Sequence, residues 1–261
     1  MTLKLKILGC GGNLGAGRET TSFLCYNGEL TETTDLTLID GGTGVSKIGL
    51  NRMSQLKDVF ITHSHLDHVA GIALLAEAFF NEDIEIICKP TFHCGKITYE
   101  TINESILQKH IWMRLEEMGL ISYKQIEDGE THFLKNGLSV TAVKSFHCNL
   151  TLGYVVSNGS SAFAFAGDTG YCESFWKTVS SVENLKGVIC EVSLENKLKE
   201  RAELTNHMTP EFLQKGISFL KKDVKIYASH IKSYCYRKVC EELKQLDREI
   251  IVLEDDMILE F

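Results

Sequence analysis

The hexapeptide His63-Ser64-His65-Leu66-Asp67-His68 decides how the rest of the chain is read. It packs three imidazoles and a carboxylate into six residues, and these are the donors that zinc and similar divalent metals prefer. Before it, Asp58-Val-Phe-Ile-Thr62 reads as a short buried strand. After it, Val69–Phe80 carries enough Ala and Leu for a helix. The hexapeptide is therefore expected to be a loop between the carboxyl end of a strand and a helix N-terminus. Open α/β sheets place their sites at such positions.

Upstream, Leu38-Ile-Asp-Gly-Gly-Thr-Gly44 ends a strand with an Asp and a glycine turn. A helix-like stretch (Val45–Gln55) and the buried strand of the metal loop follow. The second half repeats this order. Phe163-Ala-Phe-Ala-Gly-Asp-Thr-Gly170 ends a strand at an Asp-Thr-Gly turn, then come a helix-like stretch (Cys172–Ser180) and the strand Gly187–Val192. Two copies of one β-turn-α-β unit predict two related α/β halves. Their sheets would face each other under covering helices, with the strand-end loops meeting in one groove.

Further strands are expected at Leu3–Leu8, Ser22–Tyr26, Leu36–Ile39, Ile121–Ile126, His132–Leu134, Leu138–Val143, Val224–Ala228 and Ile250–Leu253. Helices are expected at Pro210–Leu220, with Thr209 as N-cap, and at Tyr236–Leu246. A longer helix over Ile97–Leu120 serves for packing or as a homodimer surface, with a cap over the groove as its alternative. No linker or low-complexity segment interrupts the chain, so residues 1–261 read as a single domain with a helical insertion at about 97–120. The loop Gly9–Gly17 does not follow G-x-G-x-x-G spacing and no Gly-Lys-Ser/Thr follows it, so neither dinucleotide nor P-loop chemistry is supported. It reads as a loop whose backbone approaches a ligand closely, ending in the substrate-binding candidates Arg18, Thr20, Thr21 and Ser22.

Bulk composition narrows the partners. With 44% hydrophobic and 24% charged residues, the 261-residue chain is ordinary for a globular enzyme. Its net charge of −8 argues against a general nucleic-acid binder. The basic residues Lys221, Lys222, Lys225, Lys232, Arg237 and Lys238 read as a solvated face. Nine cysteines without a Cys-x-x-Cys pair or a signal peptide fit reduced thiols in a cytoplasm. No apolar run approaches the ~20 residues of a membrane span.

A metal centre needs donors beyond the hexapeptide, and His147, Asp168 and His230 each fall just past a strand. Taken in this order, the set His63-x-His65-x-Asp67-His68, His147, Asp168 and His230 resembles the metal motifs of the metallo-β-lactamase fold superfamily. That resemblance covers nearly the whole chain and implies a four-layer αββα sandwich built from two related halves. It implies that His63, His65 and His147 hold one metal, that Asp67, His68 and His230 hold the second, and that Asp168 bridges them. The metals would be two divalent ions, Zn2+ first, with Mn2+ or Fe2+ as alternatives. Zinc β-lactamases of the main type have Cys in place of Asp168, and redox di-iron relatives have Glu in place of His65. Antibiotic hydrolysis and dioxygen chemistry are therefore disfavoured.

Secondary motifs sharpen the resemblance. Arg18–Phe23, Ile39–Val45, Gly167–Gly170, Glu191-Val-Ser193 and His207-Met-Thr-Pro210 look together like bacterial 3′,5′-cyclic-nucleotide phosphodiesterases of the class II type. Glu191 and His207 are also similar to a Glu and His of tRNase Z, but the Gly/Pro-rich arm that grips tRNA is missing. The implied reaction is hydrolysis of a cyclic nucleotide (cAMP or cGMP) by a hydroxide bridging the two metals, the substrate being a small phosphodiester. His207 is the candidate acid for the leaving oxygen, Glu191 orients it, and Asp67 is counted with the catalytic residues. Asp40 is expected to brace the metal loop through hydrogen bonds. His93, His110 and His132 match no motif. The alternatives are a tRNase Z-like RNA endonuclease, another hydrolase of the fold acting on a lactone or thioester, and a metal-binding module without turnover.

Overall fold

The alternating Leu3-Lys-Leu-Lys-Ile-Leu-Gly9 forms β1 (Leu3–Gly9), with Leu3, Leu5 and Ile7 buried and Lys4 and Lys6 half-buried. The structure, a computed structural model, describes residues 1–15, 17–148 and 151–261, so Ala16 of the glycine loop lies outside the described residues. Five more strands extend the first sheet: β2 (Ser22–Asn27), β3 (Leu36–Ile39), β4 (Leu56–Phe60), β5 (Thr91–Cys94) and β6 (Ser122–Gln125). The second sheet is made of β7 (Thr131–Phe133), β8 (Ser139–Lys144), β9 (Leu152–Ser157), β10 (Ala162–Phe165), β11 (Leu185–Glu191), β12 (Lys225–Ser229) and β13 (Ile250–Val252). A last strand, β14 (Ile258–Glu260), returns to the first sheet beside β1.

The two sheets run β14-β1-β2-β3-β4-β5-β6 and β13-β12-β11-β10-β9-β8-β7. Strand for strand, β1–β6 match β8–β13: two antiparallel pairings come first, then three parallel ones. Even the irregularities coincide. The register slips between Leu36 and Thr37 where β3 meets β4, and between Ala162 and Phe163 where β10 meets β11. The internal repeat read from the sequence is thus present in the fold, and the parallel strands of both halves carry the loops that build the site.

Strand parity explains the layers. In β10, Ala162 and Ala164 lie in the cluster that includes Phe175 and Trp176 of α3 (Glu173–Ser180), while Phe163 and Phe165 lie between the sheets. Small residues let the helix approach its sheet, and large ones fill the space between sheets ~10 Å apart. Phe23 meets Phe165 edge-on at 4.9 Å and Phe60 meets Tyr154 at 5.3 Å, each pair crossing from one sheet to the other. The buried Tyr154 hydroxyl donates to the Ile61 carbonyl at 2.7 Å, and Leu152 N–H donates to the Thr62 carbonyl at 3.1 Å. The strand end that delivers the hexapeptide is therefore tied to the opposite sheet.

Several expectations need correction. The stretch Val45–Gln55 is not one helix but two short 3-10 helices, Thr43–Lys47 and Leu50–Gln55, separated by Gly49 at φ 81°. The hexapeptide is only half a loop, because α1 (Leu66–Leu75) begins inside it and takes Asp67 and His68 into its first turn. The proposed 97–120 helix stops early: α2 spans Lys96–Ser105, and the chain to Leu120 runs through turns. A 24-residue helix would reach ~36 Å, whereas the chain must return to start β6 parallel to the four-residue β5. Leu107, Leu115 and Leu120 are buried in that return. The helix α4 (Lys199–Thr205) and the strands β5, β9 and β14 had no matching expectation, while α5 (Pro210–Ile217) and α6 (Tyr236–Leu243) fall inside theirs. Thr209 occupies the N-cap position of α5, but its hydroxyl makes no capping bond and is buried without a partner. No helix among the described residues is long and apolar enough to cross a membrane.

Candidate metal centre

All seven residues named as metal donors converge at one end of the paired sheets. His63 and His65 leave β4, Asp67 and His68 open α1, His147 follows β8, Asp168 follows β10 and His230 follows β12. One group joins Asp67, His68 and His230, and another joins His63, His68 and Asp168, with donor atoms within 4.8 Å of one another in each. A further group gathers His63, His65, His147 and Cys148. Nε2 of His147 lies 3.2 Å from Nδ1 of His65, and Nε2 of His68 lies 3.2 Å from Nε2 of His230. Asp168 stands between the groups, with Oδ1 3.2 Å from His68 Nε2 and Oδ2 3.3 Å from His230 Nε2.

The surroundings set which ring nitrogen faces inward. Nδ1 of His68 donates to Asp40 Oδ2 at 2.8 Å, and Nδ1 of His147 donates to the Asn206 carbonyl at 3.0 Å. Those oxygens can only accept, so the proton sits on Nδ1 and the Nε2 lone pair points to the centre. The hydroxyls of Thr62 and Ser193 give their own protons to Asp40 and to the His230 carbonyl. They accept from Nδ1 of His63 at 2.9 Å and of His230 at 3.0 Å. Four bare imidazole nitrogens thus meet the carboxylates of Asp67 and Asp168. Nε2 of His63 and Oδ1 of Asp168 are buried without a hydrogen-bond partner, and His68 Nε2 approaches that oxygen without hydrogen-bond alignment. Converging lone pairs repel unless a cation lies among them, so the donor set fits divalent metal.

Electrostatics point the same way. Burial, reinforced by the neighbouring His68, pushes the His63 pKa well down, and burial together with His147 lowers that of His65. Both rings are then neutral, as ligands must be. Burial alone would raise the Asp67 and Asp168 carboxyls. His230 and His68 outweigh it and hold both below the usual carboxylate range. His68 differs: burial opposes charge, but the flanking Asp168 and Asp40 raise its pKa, so a metal would have to displace a proton from its Nε2.

Asp40 is fully buried, and its carboxylate takes Thr62 N–H at 2.8 Å, the Thr62 hydroxyl and His68 Nδ1–H. Asp40 (φ 55°), Asn206 (φ 51°) and His230 (φ 56°) all hold left-handed backbone, which costs a non-glycine residue ~1–3 kcal/mol. Each is pinned by hydrogen bonds on both sides. Gly12 of the glycine loop lies so close to His230 that a Cβ there would stand 2.3 Å from its carbonyl oxygen. The expected close backbone approach is therefore to the protein's own strand end.

Beside the donors, Nδ1 of His207 lies 2.6 Å from Oε1 of Glu191. The His207 ring is 4.7 Å from that of His147 and 5.8 Å from that of His230. Burial opposes a charged His207, yet Glu191 prevails and its pKa is raised. The Glu191 carboxyl, itself disfavoured by burial, is lowered by His207.

The four substrate-binding candidates make contacts of their own, and Thr20 borders the metal loop, since a Cβ on Gly42 would meet both its hydroxyl and the Asp67 carbonyl. Arg18 stacks on Tyr236 at 4.0 Å, donates to its hydroxyl at 2.6 Å and lies 3.6 Å from Glu254. The Thr20 hydroxyl accepts Thr43 N–H at 2.9 Å, the Ser22 hydroxyl donates to the Thr20 carbonyl, and Thr21 is buried. Thr20 joins the start of β2 to the Thr43–Lys47 turn, whereas the Thr21 hydroxyl is buried without a partner. Lys232, read as part of a solvated face, instead donates to the Gly12 carbonyl at 2.6 Å and lies 3.9 Å from Asp67 Oδ2. Thr62, Ser193, Asn206 and Cys148 had no role in the sequence reading. Their one signal is adjacency, since each sits next to or two residues from a named site residue.

Comparison with known proteins shows the family and the fold. A family profile described as the beta-lactamase superfamily domain matches residues 36–244. A 3′,5′-cyclic-nucleotide phosphodiesterase of Aliivibrio fischeri is 26% identical over 255 residues, which is 87% of this chain and 74% of that protein. A probable 3′,5′-cyclic-nucleotide phosphodiesterase of Yersinia pestis is 24% identical over 205 residues, or 68% of this chain and 57% of that protein. Unliganded yeast PDE1 superposes with a TM-score of 0.83 at 17% identity, covering 100% of this chain and 99% of its own.

Proposed function

The chain belongs to the β-lactamase superfamily and is a metal-dependent hydrolase, and from that premise we propose that it hydrolyses 3′,5′-cyclic nucleotides. In this reading His63, His65 and His147 hold one divalent ion, Asp67, His68 and His230 hold a second, and Asp168 serves both. When bound, the ions supply Lewis-acid charge at the phosphate and make water nucleophilic at neutral pH. The remaining work falls to the chain. Attack at phosphorus breaks the P–O3′ bond, and the departing alkoxide is a poor leaving group until it is protonated. His207 carries that proton on Nε2, while Nδ1 stays on Glu191 at 2.6 Å. Glu191 is held in turn by the N–H groups of Thr169, Ser193 and Met208. Having given its proton to O3′, His207 regains one from solvent, which takes up the proton that the attacking water loses.

The observation that carries this reading is the oriented Glu191–His207 pair beside the donor cluster, because a metal-binding module without turnover has no use for an acid. The two phosphodiesterase relatives support the substrate class. The test is a panel of cyclic AMP, cyclic GMP, bis(p-nitrophenyl) phosphate, a lactone and a thioester, offered to metal-loaded protein. Release of 5′-monophosphates from the cyclic nucleotides is expected. Turnover confined to the lactone or thioester would overturn the proposal.

A further inference from the structure

Lys232 follows the donor His230 by two residues, and its ammonium reaches the donor cluster. Nζ donates to the Gly12 carbonyl at 2.6 Å and lies 3.9 Å from Asp67 Oδ2, beyond hydrogen-bond reach. Its position is fixed from the backbone, since Lys232 N–H donates to the Ser193 carbonyl at 3.1 Å. The Ser193 hydroxyl in turn lies 3.3 Å from Nδ1 of His207 and 3.0 Å from Nδ1 of His230. The Lys232 side chain is only 20% exposed, and among the described residues no other lysine or arginine pairs with Asp67 or Asp168.

We propose that Lys232 binds a non-bridging phosphate oxygen, and that it holds the phosphate monoester product more tightly than the cyclic diester substrate. The proposal rests on the reading of this centre as a phosphodiesterase. An ammonium has three protons to donate. One is on Gly12 and none is placed on Asp67, so an oxygen seated beside Asp67 can take another. With metal bound, two divalent ions carry more positive charge than Asp67 and Asp168 cancel. Lys232 adds to that excess, and an anion relieves it where a neutral lactone or thioester does not. The cyclic diester carries a single negative charge. The monoester ionises a second time near pH ~6 and is close to dianionic above it, so it draws the ammonium more strongly. Lysine meets phosphate as a point charge rather than as a planar fork, so the same contact survives the opening of the ring.

The test uses the full, metal-loaded chain, with adenosine 5′-monophosphate as the probe in titration calorimetry. Lys232→Met keeps the length of the side chain and removes its charge. It should retain its metals by elemental analysis, weaken the monophosphate by ~10–100-fold and raise KM for cyclic AMP by a smaller factor. Added salt should weaken the monophosphate more in the wild type than in this variant. Lys232→Arg restores the charge and should bring monophosphate affinity back to within ~3-fold of the wild type. Suppose the wild type hydrolyses cyclic AMP but Lys232→Met binds the monophosphate equally well, or Lys232→Arg is as weak as Lys232→Met. This inference then falls and the proposed function stands. Loss of an ion from Lys232→Met would place its action on Asp67 instead and overturn the inference as well. If the wild type neither binds the monophosphate nor hydrolyses a cyclic nucleotide, the proposed function falls and this inference with it.

Discussion

Oε1 of Glu191 lies 2.6 Å from Nδ1 of His207, and the carboxylate that provides it is 1% exposed. Three backbone N–H groups also converge on this carboxylate, so its position is set by the strand end and the loop before α5, independently of any metal. The His ring is oriented by the fold and presents Nε2.

Proton donation by His207 predicts a dependence on the leaving group. His207→Ala should retain its metals and lose ~10²–10⁴-fold in turnover of a cyclic nucleotide. The loss should shrink on p-nitrophenyl phosphodiesters, whose leaving group departs without a proton. Glu191→Gln should show a weaker form of the same pattern. Equal losses on both substrates would limit His207 to binding phosphate, and loss of metal from His207→Ala would make it a ligand.

Asp168 contacts donors on both sides of the centre. Asp168→Ala should therefore lower the occupancy of both ions together, along with turnover. Elemental analysis that finds full occupancy in this variant would remove Asp168 from its shared role.

Asp40 holds His68 through Nδ1 at 2.8 Å. Asp40→Asn keeps a residue that tolerates left-handed backbone but exchanges a charged acceptor for a neutral one. Competition with a chelator should show metal affinity reduced by ~10–100-fold. Unchanged affinity would make Asp40 a support for Thr62 alone.

Away from the centre, His93 on β5 meets His132 on β7 Nδ1 to Nδ1 at 2.9 Å, joining the two sheets, and His93 Nε2 lies 2.7 Å from Asp58. One ring must accept, so the pair cannot hold a proton on all four nitrogens. Burial, with Lys124 and His93 nearby, lowers the His132 pKa, and Asp58 and Glu130 only partly oppose this. The unfolded chain thus binds more protons below ~6.5, and stability should fall as the pH drops below that value. In urea unfolding at pH 7.5 and 5.5, His132→Asn should lose less stability on acidification than the wild type. Equal losses would show that the pair does not respond to acid.

Much of the fold was legible because its signals are local. Alternation in β1, the Asp-Thr-Gly turns and the repeated order of elements depend on neighbours in the chain, and they led to two related halves. The hexapeptide was legible for the same reason, since donor types crowd together there. The 97–120 segment was misread because apolar spacing alone does not tell a helix from a return loop that buries Leu107 and Leu115.

The order of residues along the chain marks those that stand at strand ends, since a strand stops where its apolar alternation stops. It thereby marked His147, Asp168 and His230 as candidates from distant parts of the chain, while His207 was marked by the His207-Met-Thr-Pro210 motif at a helix start. Which side chains share a space, and which way each ring faces, depends on how the folded segments pack. Thr62 orients the ring of its chain neighbour His63, whereas Ser193 and Asn206 orient imidazoles 37 and 59 residues away in the chain. Packing of the two halves set Arg18 on Tyr236 and brought Lys232 to Asp67, and packing within the first half joined the Thr20 hydroxyl to Thr43. A side chain's partners follow from the packing of segments far apart in sequence, and no local pattern encodes them.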